Sequence, residues 1–206
     1  MQNEKEGARI WKDFTETLGE RLGKFAALLE EGYVLFAKAT QAYDAGIFEG
    51  SVILCRAALE STFLQFLTMY WRDEDSFNIV FPTTLDGKPR AVEFEELRNG
   101  IKQRVCFHEK QLDAIERIQQ NGNFVAHWAS RRIKGHHKVS EEYKRWEAIN
   151  KNATDSERMK AVNEIYQSIV YWITPRSALQ DLRDTSSIML RVAEALGKKA
   201  GSEIVG

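Results

Sequence analysis

The chain is short of the residues that break helices and of those that build covalent scaffolds. Only three prolines, Pro82, Pro89 and Pro175, occur in 206 residues. Long stretches therefore escape the ring that removes a backbone donor and clashes with the preceding helical turn. There are two cysteines, Cys55 and Cys106, far apart and outside any CxxC pair. That argues against a disulfide framework or a zinc site, and both read as small core hydrophobes. No apolar run approaches the roughly 18 residues that a membrane span requires. The N-terminal stretch MQNEKEGARIW has no apolar signal region, so the expectation is a cytoplasmic protein with no membrane association. Neither sign of charge is in excess: 29 Lys+Arg stand against 30 Asp+Glu, for a net charge of -1. A globally basic nucleic-acid binder is thereby disfavoured, and any such binding must come from a local patch. Also missing are a glycine-rich phosphate loop, a serine elbow and an HExxH helix. No cofactor and no metal is expected.

What the chain does have is helical periodicity. Trp11, Phe14, Leu18, Leu22, Phe25 and Leu29 recur at three- and four-residue steps, and Phe36 continues that face. This describes a long N-terminal helix over 5–45, either one amphipathic helix or two in succession. Asp44-Ala45-Gly46 is a stop signal, and Val52, Leu59, Phe63, Phe66 and Tyr70 form the next stripe. Between 72 and 91 the pattern lapses into a loop or small hairpin, and a short helix from Glu93 to Lys102 follows. Leu112, Ile115, Ile118, Gly122, Val125, Ala129 and Ile133 make one further stripe, with Gly122 inside the helix where a neighbouring backbone comes close. Residues 135–156 read as a polar insertion, mobile or partly helical. Met159, Val162, Tyr166, Ile169 and Ile173 define another helix. Thr174-Pro175 then caps and opens the last one, and 197–206 reads as a flexible tail. The fold class is all-α: a single bundle of about five to seven helices over 1–196.

Three polar constellations could carry chemistry. On the helix of Gly122, about 100° per residue places Asn123, Arg131, Glu116, Gln120 and Lys134 in the sector of His127. A solvated face is the ordinary meaning of such a stripe, but Gly122 and Ala126 would let another helix approach it. Arg56 and Glu60 stand at i,i+4 in a strongly apolar helix, an ordinary intrahelical pair unless burial joins them to Asn123 and His127 in one polar network. Finally, Arg131, Arg132, Lys134 and Lys138 put four permanent cations, with His136 and His137, into a tract of eight residues. That tract is the candidate nucleic-acid-binding patch, since each phosphate contact adds salt-sensitive affinity.

The segments AYDAGIFEGSVILCRAALEST and IERIQQNGNFVAHW resemble the family catalogued as domain of unknown function 4145, a branch of the HEPN-like superfamily. The resemblance covers a family-like core over 30–196. Arg56 and Glu60 match an Arg-x-x-x-Glu helix, and Gly122, Asn123, Ala126 and His127 match a Gly-Asn-x-x-Ala-His signature. What the resemblance implies is an all-α HEPN-like helical bundle, a homodimer, RNA or a protein as partner, and a bacterial or phage defence context. Many HEPN proteins are metal-independent ribonucleases whose Arg precedes a His by four to six residues. Here Gln120, Asn121 and Gly122 occupy the places before His127, the catalytic candidate, and Gln119 stands where the narrower family often has its Arg. Arg117 lies too far back and about 80° round the helix. Arg131 with His136, and Arg132 with His137, meet the literal spacing only within the basic tract. The expected function is therefore a non-catalytic or weakly catalytic module acting through self-association or partner binding. The alternatives are a ribonuclease or toxin component using His127 and a nucleic-acid-binding adaptor using 131–138.

Overall fold

The computed structural model describes residues 5–22, 29–69, 91–169 and 173–205, with the side chains of 21–22, 128–136, 167–169 and 199–205 excepted. Among these residues it contains eight helices and no strand. They are α1 (Glu6–Leu22), α2 (Glu30–Asp44), α3 (Phe48–Thr68), α4 (Phe94–Lys102), α5 (Glu109–Ala126), α6 (Trp128–Ile149), α7 (Asp155–Ile169) and α8 (Pro175–Val205). The expected loop or hairpin over 72–91 falls, but for Ala91, outside the described residues. No helix among those described is long and apolar enough to cross a membrane. The chain divides into two compact units, residues 1–122 with 174–206, and residues 123–173.

In the first unit the N-terminal region is two helices folded back on each other rather than one long one. The reversal is driven by aromatic burial: Phe14 of α1 meets Phe36 of α2 edge-on at 5.0 Å between ring centroids, and both are buried. Asp44, in the last turn of α2, fastens the hairpin. Its carboxylate accepts the backbone N–H groups of Gly7 and Ala8, each at 2.9 Å, satisfying two of the donors that a helix start leaves unpaired. Asp44→Ala is expected to cost about 1–2 kcal/mol, the usual range for a lost N-terminal cap. Urea denaturation measures it, and Asp44→Asn, which keeps one acceptor oxygen, should lose less.

The stop signal after α2 acts through its glycine. Gly46 has φ +78°, its N–H reaches Tyr43 O and the Ile47 N–H reaches Ala42 O, both at 2.9 Å. This is the double closure of a helix end that a left-handed residue permits. The chain then enters α3, which packs along α2, α4 and α8 and buries Val52, Cys55, Ala58, Leu59, Phe63, Phe66 and Leu67. Leu97 and Ile101 of α4, Ile115 and Ile118 of α5, and Leu182, Met189 and Leu196 of α8 complete this core. Cys106 is a correction: it is exposed, because it lies in the turn after α4, off every buried helix face.

α8 begins as its sequence predicts, with Pro175 in the first turn and the Thr174 hydroxyl accepting the Ser177 N–H at 3.0 Å. Its backbone stays helical to Val205, through the residues read as a tail. The second unit holds a helical hairpin. Residues 135–149 belong to α6, and the turn at 150–154 leads into α7. There Thr154 and Glu157 form a reciprocal cap, with Thr154 N–H to Glu157 Oε2 at 2.8 Å and Glu157 N–H to Thr154 Oγ1 at 3.3 Å. Tyr143 stacks on Trp146 at 5.9 Å, and Val139, Ala161 and Ile173 are buried. Met159, read as part of an apolar stripe, is 64% exposed.

Candidate functional site

Arg56 leaves the buried face of α3 and lies across α5 at Gly122. A Cβ at 122 would stand 2.5 Å from Arg56 Cδ and 2.8 Å from Arg56 Cβ, so glycine is what lets the arginine stem through. The close approach expected at Gly122 is present, and the nearest atoms belong to the Arg56 side chain. The Arg56 guanidinium then sits 5.9 Å from the Phe94 ring centroid on α4, a cation–π distance. Its carboxylate partner Glu60 is 3.9 Å away, beyond hydrogen-bond length. One turn along α4, Arg98 reaches Gln119 Oε1 of α5 at 3.5 Å and Glu95 at 3.6 Å.

The strongest polar assembly lies on the other flank of α5 and was not singled out from sequence. Arg117 donates from Nε to Asp181 Oδ1 at 3.1 Å and from a terminal nitrogen to Asp184 Oδ2 at 2.5 Å. Asn121, one turn on, donates to Asp181 Oδ2 at 2.8 Å, and Gln180 donates to Asp184 at 2.9 Å. Asp181 is fully buried. Burial pushes its carboxyl above the ordinary aspartate range, against the hydrogen bonds from Asn121 and Arg117 that pull it down. Beside it, Cys55 is wholly buried, and burial drives its thiol far up, so it is an inert core group rather than a nucleophile. The Ser51 and Thr185 side chains, also buried, flank this cluster from α3 and α8.

Asn123 and His127 belong to the second unit, whereas Arg56 and Glu60 belong to the first. Asn123 is half-buried and His127 exposed. His127 also interrupts the single stripe read through 112–133. It stands between α5 and α6 with φ -106° and ψ 19°, its N–H still bonded to Asn123 O at 3.1 Å. No proline or glycine marks this break, and the apolar period runs through it in the sequence. Arg131, Arg132 and Lys134 lie on α6 in a stretch described by its backbone alone. Lys138 is exposed, and His137 is 3.6 Å from Glu141.

The arrangement determines what each cation is free to do. Arg117 is held by two carboxylates, which offset its charge. Asn121 and Gly122 are occupied in packing, one bonded to Asp181 and the other beneath Arg56. Comparison of the chain with known protein families, with curated proteins and with solved structures finds no match.

Proposed function

We propose that this chain is a HEPN-like helical module, non-catalytic or weakly catalytic, that works by self-association in a bacterial or phage defence-type setting. The observation that carries this reading is the second face of α3. Helix α3 has only three charged residues, Glu49, Arg56 and Glu60, in 21, and a helix apolar around its circumference calls for cover on more than one side. One face is buried in the core. On the opposite one, Ile53 is exposed and Gly50, Leu54, Ala57, Ser61 and Leu64 are half-buried, with Leu54 and Leu64 resting in part on the core and Ser61 donating to Glu31 of α2 at 3.2 Å. Ile53 is 39% exposed, and the other exposed large apolar side chains of the first unit, Val34 and Ile47, lie on α2 and at the start of α3. Apolar surface gathered on one hairpin marks an association surface.

The non-catalytic half of the reading rests on the two positions before His127 that serve packing. Purified protein is expected to leave single-stranded RNA intact in the absence of metal, with wild type and His127→Ala indistinguishable in a gel-based cleavage assay. Metal-independent cleavage that His127→Ala abolishes while the fold persists would overturn it.

A further inference from the structure

We propose that Arg56 and Arg98 form a cradle for a tetrahedral oxyanion, a phosphate group, at the junction of α3, α4 and α5. The two arginines flank the same stretch of the fold: Arg56 touches Phe94 and Gly122, and Arg98, one turn from Phe94, touches Gln119, which is three residues from Gly122. Both side chains are largely enclosed, at 26% and 18% exposure. The Nε atoms of Arg56 and Arg98 are buried and, among the described residues, have no hydrogen-bond partner. The remaining polar contacts among the described residues are one amide oxygen at 3.5 Å and carboxylates at 3.6 and 3.9 Å, all at or beyond the limit of a useful bond. Buried donors in folded proteins are nearly always satisfied, and two enclosed guanidiniums raise the cost of leaving them so.

A tetrahedral oxyanion suits the need. It offers acceptors in several directions at once, so forks arriving from two different helices can each bond it. Glu60 is the group it displaces, since that carboxylate is the competing anion beside Arg56. This inference stands apart from the self-association reading, because the cradle lies within one copy of the chain.

Isothermal titration calorimetry of the full chain with inorganic phosphate tests it. Wild type is expected to bind, Arg56→Gln and Arg98→Gln each to weaken binding about tenfold or more, and Glu60→Gln to strengthen it. Adenosine 5′-monophosphate in place of phosphate separates the sources: tighter binding assigns the cradle to a phosphate ester, and weaker binding to the free ion. Helical circular dichroism confirms that each variant folds, and if Arg56→Gln does not, Arg98→Gln carries the test. Absence of binding to wild type overturns the proposal, as does binding that Arg98→Gln leaves unchanged.

Discussion

Replacing Arg117 by methionine is expected to lower folding stability by about 3 kcal/mol near neutral pH, with a loss that shrinks as the pH falls. The cost arises at Asp181, which is fully buried and would keep Asn121 as its remaining donor. Removing one partner of a buried ion pair leaves a charge in a poorly solvating interior, which costs more than the pair itself contributes. Burial already holds the Asp181 carboxyl above its ordinary value, and loss of the guanidinium raises it further. A carboxyl raised in the folded state binds more protons folded than unfolded. Stability therefore falls as the pH climbs from the unfolded to the folded pKa and is level above it. In Arg117→Met that interval is wider, so the variant should approach wild type in acid and separate from it toward neutrality. Urea denaturation across pH measures the divergence. Adding Asp181→Asn, which removes the charge and keeps a partner for Asn121, should restore most of the loss. A deficit independent of pH would mean that Arg117 acts through packing alone.

The second large effect concerns α3. A two-fold pairing of its exposed face, antiparallel and centred on Ala57, sets Ile53 of one copy opposite Ser61 of the other, and Gly50 opposite Leu64. Large residues then meet small ones along the seam, and Ala57 meets Ala57 where the helices come closest. Such self-complementarity is what an isologous interface requires. One helix face about 30 Å long is small beside the roughly 800 Å² per partner of a stable interface, so Val34 and Ile47 are expected to contribute at its margin. Ile53→Asp places a carboxylate from each copy in the seam. It should weaken self-association by at least about a hundredfold, while leaving the stability of the single chain nearly unchanged, because Ile53 packs away from the core.

Much of the architecture was legible because helix periodicity is a local signal. Phe14, Leu18, Phe36, Leu59, Phe63 and Phe66 repeat at the spacing that buries one face, and all six are buried. Asp44-Ala45-Gly46 and Thr174-Pro175 announce ends that the backbone then makes. The polar stretch 135–156, read as mobile or partly helical, is helical over 135–149 and from 155 on; its polarity leaves no apolar stripe by which to place the helices. Thr154-Asp155-Ser156-Glu157 is nonetheless a capping-box pattern, and it was there to be found.

The site was less legible, for a physical reason. A single sequence tells where a residue lies around its own helix, not what stands opposite. Arg117, Asn121 and Asp181 come together from helices some 60 residues apart. One signal pointed to them: Asp181 lies on the stripe of Ala178, Leu182, Thr185, Met189 and Val192, where a lone carboxylate must be buried and therefore partnered. The Arg56 pair was seen from sequence, but its seat on Gly122 and Phe94 depends on tertiary packing that no periodicity encodes.

Sedimentation equilibrium on the wild-type chain and Ile53→Asp decides whether two copies of the chain pair through α3. Wild type is expected to sediment at twice the chain mass at micromolar concentration and the variant at the single-chain mass, with unchanged circular dichroism. A wild-type chain that sediments as a monomer, or a variant that doubles as readily as wild type, would contradict this pairing.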